Sequence, residues 1–448
     1  MKATKLSLVV HTESKEVQNI YASRLGSYLQ RTVKFGTQEC SVYLLPSNQE
    51  VFMFYPLHTT SSISVRNPCC THNHQAETYT LNGSCICETG FNVNASSIQI
   101  SGEIVAPNIT MISGSSISLV GNALGSETNL NATGDIRLLA ENNVNIELCV
   151  FQSDSVISVI ALHQIYDDPA ILVSNNVQFN DYLSLDISGT ASGSALGIEI
   201  DASTVLLGNT TIITGFATDG TGVVVHGDIE LPTNTHLIGS STSDSGILID
   251  AVNTVRLFPS SVLTGVSSTG AGVRFISSIG DSVLFSGNGT HDTINVNGFG
   301  CVGIESNATL TLNNVNLQLN GHSNETGCAQ KGVSVSGMSV RFEGESHFSV
   351  SGSVEVPTAG IGIAVQSFES NGDGATVALN GTGHIGVDIQ DAVIEVDQLT
   401  LRGVSIDGLG IQIEDSTLRV QAISSSGTCT GGATCKGVLF GSQATITL

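Results

Sequence analysis

The sequence predicts an all-β solenoid, a single-stranded parallel β-helix with 24–31 residues per coil and three short strands in each coil. Three observations predict it. The first is a phrase, glycine-apolar-any-apolar, that returns ten times with one departure, Ser306 in its last place, at Gly197-Ile198, Gly222-Val223, Gly246-Ile247, Gly272-Val273, Gly303-Ile304, Gly332-Val333, Gly362-Ile363, Gly386-Val387, Gly410-Ile411 and Gly437-Val438. A period in this range marks a solenoid. The second is the material between the glycines, short alternating runs separated by Gly, Ser, Asn and Asp, which is the pattern of strands and turns. The third is composition: 12% charged residues, 5% aromatic, no Trp and 49 Gly, with the 40% apolar content dominated by small aliphatic side chains. Such a chain suits a long, thin core in which each coil buries its surface on its neighbours, so its 448 residues need not divide into several globular domains.

Each repeat carries its strands in a fixed order. After the glycine strand comes a second, read at Val205–Leu207, Ile229–Leu231, Val255–Leu257, Val283–Phe285, Leu310–Leu312, Val340–Phe342, Val377–Leu379, Ile394–Val396 and Leu418–Val420. A third ends on glycine, as in Thr211–Gly215, His236–Gly239 and Asn316–Gly321. Branched side chains alternate inward and stack on their copies in the coils above and below, which hydrogen-bond at roughly 4.8 Å spacing.

Residues 1–66 are different material, holding seven of the fifteen Lys and Arg. Lys5–Val10 reads as a strand. Val17, Ile20, Tyr21, Leu25, Tyr28 and Leu29 fall at helical spacing, and Ser41–Leu45 with Val51–Leu57 read as a hairpin. The expectation is a small α/β cap over the first coil, with an independent small domain as the rival. The run Leu6–Val10 is too short for the apolar core of a signal peptide, and no later run is long enough to cross a membrane.

Residues 67–92 form a Cys-rich connector with Cys69, Cys70, Cys85 and Cys87, and Cys40 lies upstream. The segment Cys85-Ile86-Cys87-Glu88-Thr89-Gly90-Phe91 resembles the end of an EGF-like module, although no cysteine follows until Cys149. The other reading is a zinc site helped by His72 and His74. Ligands adjacent in sequence depart from the usual metal spacing, so disulfides are preferred and no metal is expected.

From residue 93 to 448 the pattern is one continuous array, irregular at first: Ser97–Ile100, Asn108–Met111, Ser116–Leu119, Asp135–Leu138 and Asn143–Ile146 are short alternating strands. The segments at Gly134–Leu139 and Asn143–Leu148 resemble repeats of filamentous-haemagglutinin-like surface proteins. Together with the coil length, the array resembles the pectin-lyase-like β-helices, and that resemblance implies a right-handed coil. In the array Cys301, Cys328 and Cys435 precede repeat glycines at one corner of the coil. Cys301 and Cys328 suit a bridge between neighbouring coils, and Cys429 with Cys435 a small closed loop. Ten cysteines point to an oxidising compartment. Asn82, Asn94, Asn108, Asn131, Asn209, Asn288, Asn307, Asn324 and Asn380 stand in glycosylation acceptor sequences, close to what chance supplies in a chain this rich in Ser and Thr.

The resemblance to pectin-lyase-like proteins implies that any catalysis sits on the outer face of one strand column. There the sequence stacks Asp201, His226 and Asp250 on consecutive coils, with Glu199 beside them, as carboxylates and a proton carrier suited to glycoside hydrolysis. Against this stands a formal net charge of −24, which repels polyanionic substrates, and the family's Asn-Thr-Asp and Arg-Ile-Lys hydrolase triplets are absent. The same charge opposes nucleic-acid binding. Asp219 and Asp373, in turns, are at most weak ion ligands, and no cofactor is expected. The last strands, Gly437–Phe440 and Ala444–Leu448, begin a coil without an evident closing element, leaving an open strand edge. The favoured expectation is an extracellular structural or adhesive rod whose partners are other copies of itself, joined head to tail, other structural proteins, or glycans. A polysaccharide lyase or hydrolase is the alternative.

Overall fold

The computed structural model describes residues 69–448 apart from short turns (122–126, 165–166, 181, 202–209, 228, 253, 278–280, 290, 324–327, 329, 337–338, 356–359, 367–368, 372–373, 432–434, 442 and 448). Within 1–68 it describes the backbone of five strands. Contacts divide the chain into two compact units, Met1–Val65 and Arg66–Leu448.

In the first unit Leu6–His11 pairs antiparallel with Val17–Ala22, and Leu29–Phe35 with Gln38–Leu44, which in turn pairs with Val51–Phe52. Gln38–Leu44 and Val51–Phe52 pair as the hairpin reading expects, and the rest of that reading, 45–50 and 53–57, lies outside the described residues. Of the positions read at helical spacing, Val17, Ile20 and Tyr21 lie in a strand and Leu29 opens another, and Leu25 and Tyr28 lie outside the described residues. Val17, Ile20 and Tyr21 are β-branched or aromatic residues that favour a strand, and pairing with Leu6–His11 overrides their helical spacing. The described elements of this unit are all β rather than α/β, and no helix occurs among the described residues.

The second unit is a parallel β-solenoid. Its organising column is the apolar residue after each repeat glycine. Ile198, Val223, Ile247, Val273, Ile304, Val333, Ile363, Val387, Ile411 and Val438 are register partners from rung to rung. The first nine have no exposed surface, and Val438, on the last rung, is 37% exposed. The column continues in the other direction through Ile171, Val144, Ile117 and Ile98 to Tyr79.

That continuity corrects the expected start of the array. Residues 67–92 are not a separate connector, because strand Thr71–Ile86 pairs in parallel with Phe91–Ala106 and sets Tyr79 and Leu81 beneath Ile98 and Ile100. Two disulfides, Cys69–Cys85 and Cys70–Cys87, close this first rung, and the Tyr79 hydroxyl donates to the Cys69 carbonyl at 2.8 Å. The Cys85-x-Cys87 pair therefore joins upstream cysteines and staples a β-rung instead of ending an EGF-like module. Cys70, Cys85 and Cys87 are buried in this rung, and the crosslinks constrain it.

The second column runs Ile229, Val255, Val283, Leu310, Val340, Ser370, Ile394, Leu418 and Ile446. Val377–Leu379 does not belong to it. Those residues pair with Phe348–Val350 in the third column, and the second strand of that coil is Glu369–Asn371. Its inward residue, Ser370, is polar, so the coil lacks the apolar alternation that marks this strand elsewhere. The strand read at Val205–Leu207 lies outside the described residues.

The third column brings a second line of glycines into register: Gly189, Gly215, Gly239, Gly265, Gly298, Gly321, Gly352, Gly381, Gly403 and Gly427. Each points inward at the repeat glycine of its own coil. A Cβ on Gly215 would stand 2.0 Å from the Gly222 carbonyl oxygen, one on Gly265 1.9 Å from that of Gly272, and one on Gly381 1.7 Å from that of Gly386. The two glycine lines thus pinch the tube shut along one side, at a separation no side chain can enter.

The corners follow rules of their own. Asn175, Asn176, Asn234, Asn314, Asp391 and Asp415 take positive φ, the left-handed conformation that Asn and Asp tolerate best after glycine. At one recurrent corner a buried serine closes the coil. Ser241 donates to the Gly220 carbonyl at 2.7 Å and Ser405 to that of His384 at 2.8 Å, and each hydroxyl also accepts from a following N–H, of Asp244 and Gly408. These inward polar groups are paired, which is what permits their burial.

Candidate functional site

The strand Ile198–Asp201 alternates buried and outward residues, so Glu199 and Asp201 face out while Ile198 and Ile200 face the core. Register places His226 over Asp201 and Asp250 over His226. The imidazole bridges the ladder: Nε2 lies 3.6 Å from Glu199 Oε1 and Nδ1 3.3 Å from Asp250 Oδ2, each side chain being about a quarter exposed. Partial burial raises the Glu199 carboxyl above its usual range, His226 opposing the rise and Asp201 adding to it. All four residues read from the sequence therefore share one patch. Their arrangement is self-contained, because the space between the flanking carboxylates, where a glycosidase must admit a sugar and a water, is filled by the ring of His226. The next residue in the Asp250 column is Ile276, which ends the polar ladder.

A second carboxylate escaped the sequence reading. Asp388 lies in the column of Glu199, through Val224, Leu248, Arg274, Glu305, Ser334 and Ala364. It is only 6% exposed. Burial raises its carboxyl, Gln390 opposes this by donating Nε2 to both carboxyl oxygens at 3.2 and 3.1 Å, Glu414 adds to the rise and Lys331 lowers it. No sequence signal set it apart, because Glu199 and Glu305 stand at the same place in their own repeats.

Elsewhere on the surface, acids meet arginines across neighbouring rungs. Arg256 pairs with Glu230, Arg419 with Glu395, and Arg274 with Glu305 at 3.1 Å, and each pair consists of register partners. These contacts tie coil to coil. Exposed pairs of this kind contribute only about 0–1 kcal/mol each.

The structure also forms a groove of about 410 Å³ on the third column. One wall is the outward line Asn320, Ser351, Asn380 and Arg402, and the other begins at Phe299 and ends at Val404. None of its lining residues is Asp or Glu. No sequence motif announced it, because its lining residues are brought together only by the register of neighbouring coils.

The array holds two further disulfides, Cys301–Cys328 between successive coils and Cys429–Cys435 within the last loop. Cys69, Cys70 and Cys85 bring their sulfurs together closely enough for a metal, but all three are disulfide-bonded and so lack the thiolates a metal requires. Cys149 is a free, fully buried thiol, and burial pushes its pKa up. Of Cys40 only the backbone is described. Asn82, Asn108, Asn288 and Asn307 are exposed, Asn94, Asn131 and Asn380 half-buried, and Asn209 and Asn324 lie outside the described residues. Asn108 has a structural task, its Oδ1 accepting from the Asp135 N–H at 3.0 Å. Asp219 accepts from the Ser243 hydroxyl at 2.9 Å, and Asp373 lies outside the described residues. Among the described residues no helix is long and apolar enough to cross a membrane. Comparison with protein-family models, curated proteins and solved structures found no match for this chain.

Proposed function

We propose that the chain is an extracellular structural or adhesive rod, with other copies of itself or other structural proteins as partners. One observation carries this reading: acids and hollow lie in different places. Glu199 and Asp250 close on His226, Asp388 is held by Gln390, and the groove described above contains no carboxylate. A hydrolase needs both at one point. The four disulfides support an oxidising compartment, and the one that joins successive coils stiffens the array.

The test uses the full chain. Small-angle scattering should give an elongated particle, and a panel of neutral and acidic polysaccharides should yield no new reducing or unsaturated ends. Asp250→Asn and His226→Ala should leave shape and attachment unchanged. Turnover of any glycan that disappears in Asp250→Asn would overturn the reading in favour of a polysaccharide-active enzyme.

A further inference from the structure

We infer that the four cysteines of the first rung are also a zinc site: two disulfides when oxidised, one tetrahedral four-thiolate centre when reduced. The inference goes beyond the rod reading and does not depend on it.

Backbone geometry gathers the ligands. Cys85 and Cys87 stand two residues apart and both are buried, while Ile86 between them faces out. Alternation along a strand puts such a pair on one face. Cys69 and Cys70 are adjacent in the chain, but they lie in a turn, so strand alternation does not throw them to opposite sides. Their crosslinks to Cys85 and Cys87 show both sulfurs reaching the same face. Ligands at a spacing unlike that of ordinary zinc motifs are thereby brought to one point.

The sulfur separations fit the metal. A tetrahedral zinc with Zn–S bonds of about 2.3 Å sets its sulfurs about 3.8 Å apart. Between the two disulfides the sulfurs stand at that distance. Cys70 Sγ lies 3.8 Å from Cys85 Sγ, and Cys85 Sγ lies 3.5 Å from Cys87 Sγ. The sulfurs of Cys69, Cys70 and Cys85 all lie within 4.8 Å of one another. Opening the two disulfides moves each bonded pair out to nonbonded contact, the direction the tetrahedron requires.

Reduction leaves the frame standing, because each cysteine is also held by bonds that a reductant does not touch. Cys85 is laddered opposite Ile104, and the Cys87 N–H donates to the Val105 carbonyl at 2.8 Å. The Cys70 carbonyl accepts from the Asn92 N–H at 2.8 Å, and the Cys69 carbonyl from the Tyr79 hydroxyl at 2.8 Å. The Tyr79 ring packs against His72 and Phe91, with centroids 5.1 and 6.1 Å away. Ligands positioned in advance lose little freedom when the metal binds. Thiolates select zinc, or cobalt(II) in its place, over calcium and magnesium.

The exchange balances. A phosphine gives two electrons to each disulfide and leaves as its oxide with the oxygen of water, whose two protons end on the two thiols. The four thiols then release four protons to solvent as Zn2+ takes four thiolates. In reverse, two molecules of a small disulfide such as oxidised glutathione take four electrons, become four thiols with protons from solvent, and expel Zn2+. The first rung would thus be crosslinked by metal before its disulfides form and by the disulfides afterwards.

The test uses the full chain, reduced with a phosphine, freed of it without air, and incubated with zinc or cobalt(II) chloride. After unbound metal is removed, elemental analysis should find about one zinc per reduced chain and about 10-fold less in the oxidised chain. Cobalt should give the intense visible bands and sulfur-to-metal charge transfer of a tetrahedral thiolate site. Cys85→Ser combined with Cys87→Ser should weaken zinc binding about 100-fold or more and abolish those bands. Cys429→Ser with Cys435→Ser, which removes the other closely spaced pair, should change neither. Zinc should also slow amide exchange in strand Thr71–Ile86 of the reduced chain about 10-fold or more, a readout that stands should a serine variant fail to fold. Reduced wild type holding less than about 0.1 zinc per chain overturns the inference. So does equal zinc on the oxidised chain, which would place the metal on carboxylates or histidines. Tetrahedral cobalt bands that survive without Cys85 and Cys87, or zinc that leaves exchange in the strand unchanged, overturn it as well. None of these outcomes bears on the rod.

Discussion

Gly265→Ala tests the pinch between the two glycine lines. The added methyl would stand 1.9 Å from the Gly272 oxygen, 2.5 Å from its carbonyl carbon and 2.7 Å from Val273 Cγ2, where ordinary contact begins at 3.4 Å. Roughly 1.5 Å of separation must be found between two backbones that are each held in a parallel ladder. Gly265 is paired between Gly239 and Gly298, so neither strand can shift alone. In the neighbouring coils the equivalent carbonyls, of Gly222 and Gly246, accept from the Ile198 and Val223 N–H groups at 3.0 Å, and displacement puts such a bond at risk. Overpacking costs about 1–3 kcal/mol and a stranded buried carbonyl about 1–3 kcal/mol more, so the loss should be about 2–6 kcal/mol. Gly114→Ala is the control. Its Cβ would meet nothing closer than the Ser96 Cα at 3.9 Å, and its φ is not positive, so it should stay within about 0.5 kcal/mol of wild type. Urea unfolding of the three full-length proteins, followed by the β-sheet signal in circular dichroism, makes the comparison. Midpoints are the safer readout, because a solenoid need not unfold in one step. If Gly265→Ala unfolds at the same urea concentration as Gly114→Ala, the coils do not close through glycine contact.

Three further outcomes are expected. Replacing Cys301 and Cys328 together by Ser opens a crosslink spanning 27 residues and should lower stability by up to about 3–4 kcal/mol, with the wild type falling at least as far in strong reductant, which opens the other three disulfides as well. A wild type indifferent to reductant would contradict it. Cys149, buried and with its pKa pushed up, should resist iodoacetamide in the folded protein and be alkylated in urea, as read by peptide mass spectrometry. Asp388→Asn should stabilise the protein at neutral pH by about 1 kcal/mol, because burial raises the native carboxyl above its unfolded value. The stability that protonated Asp388 confers is complete below the unfolded pKa and is lost as pH rises through the raised native one. The advantage of the Asn variant should therefore vanish on acidification toward pH ~4, and melting curves from pH 4 to 8 would show it. An advantage independent of pH would mean that Asp388 is not the group responsible.

What the sequence made legible, and what it hid, follows from which positions a solenoid constrains. Inward positions repeat because each must fill the same slot on every rung, so Ile198 through Ile411 were readable as one buried column and Asp201, His226 and Asp250 as one outward stack. Where an inward slot is filled by something other than an aliphatic residue, periodicity fails locally. Ser370 hid a strand, and Val377–Leu379 took its place in the reading. Cysteines hid the first rung for the same reason, since crosslinks there replace the apolar neighbours that define a coil elsewhere. The helical spacing of Val17, Ile20 and Tyr21 misled differently, because a strand partner outweighed it. The pinch was hidden most deeply. Each glycine line was visible as a recurring residue, but that the two lines touch is a fact about the cross-section of the coil, which no linear period encodes. Outward positions are under no such rule. Along one column Glu199 is followed by Val224, Leu248, Arg274 and Glu305, a succession that the fold tolerates and does not specify.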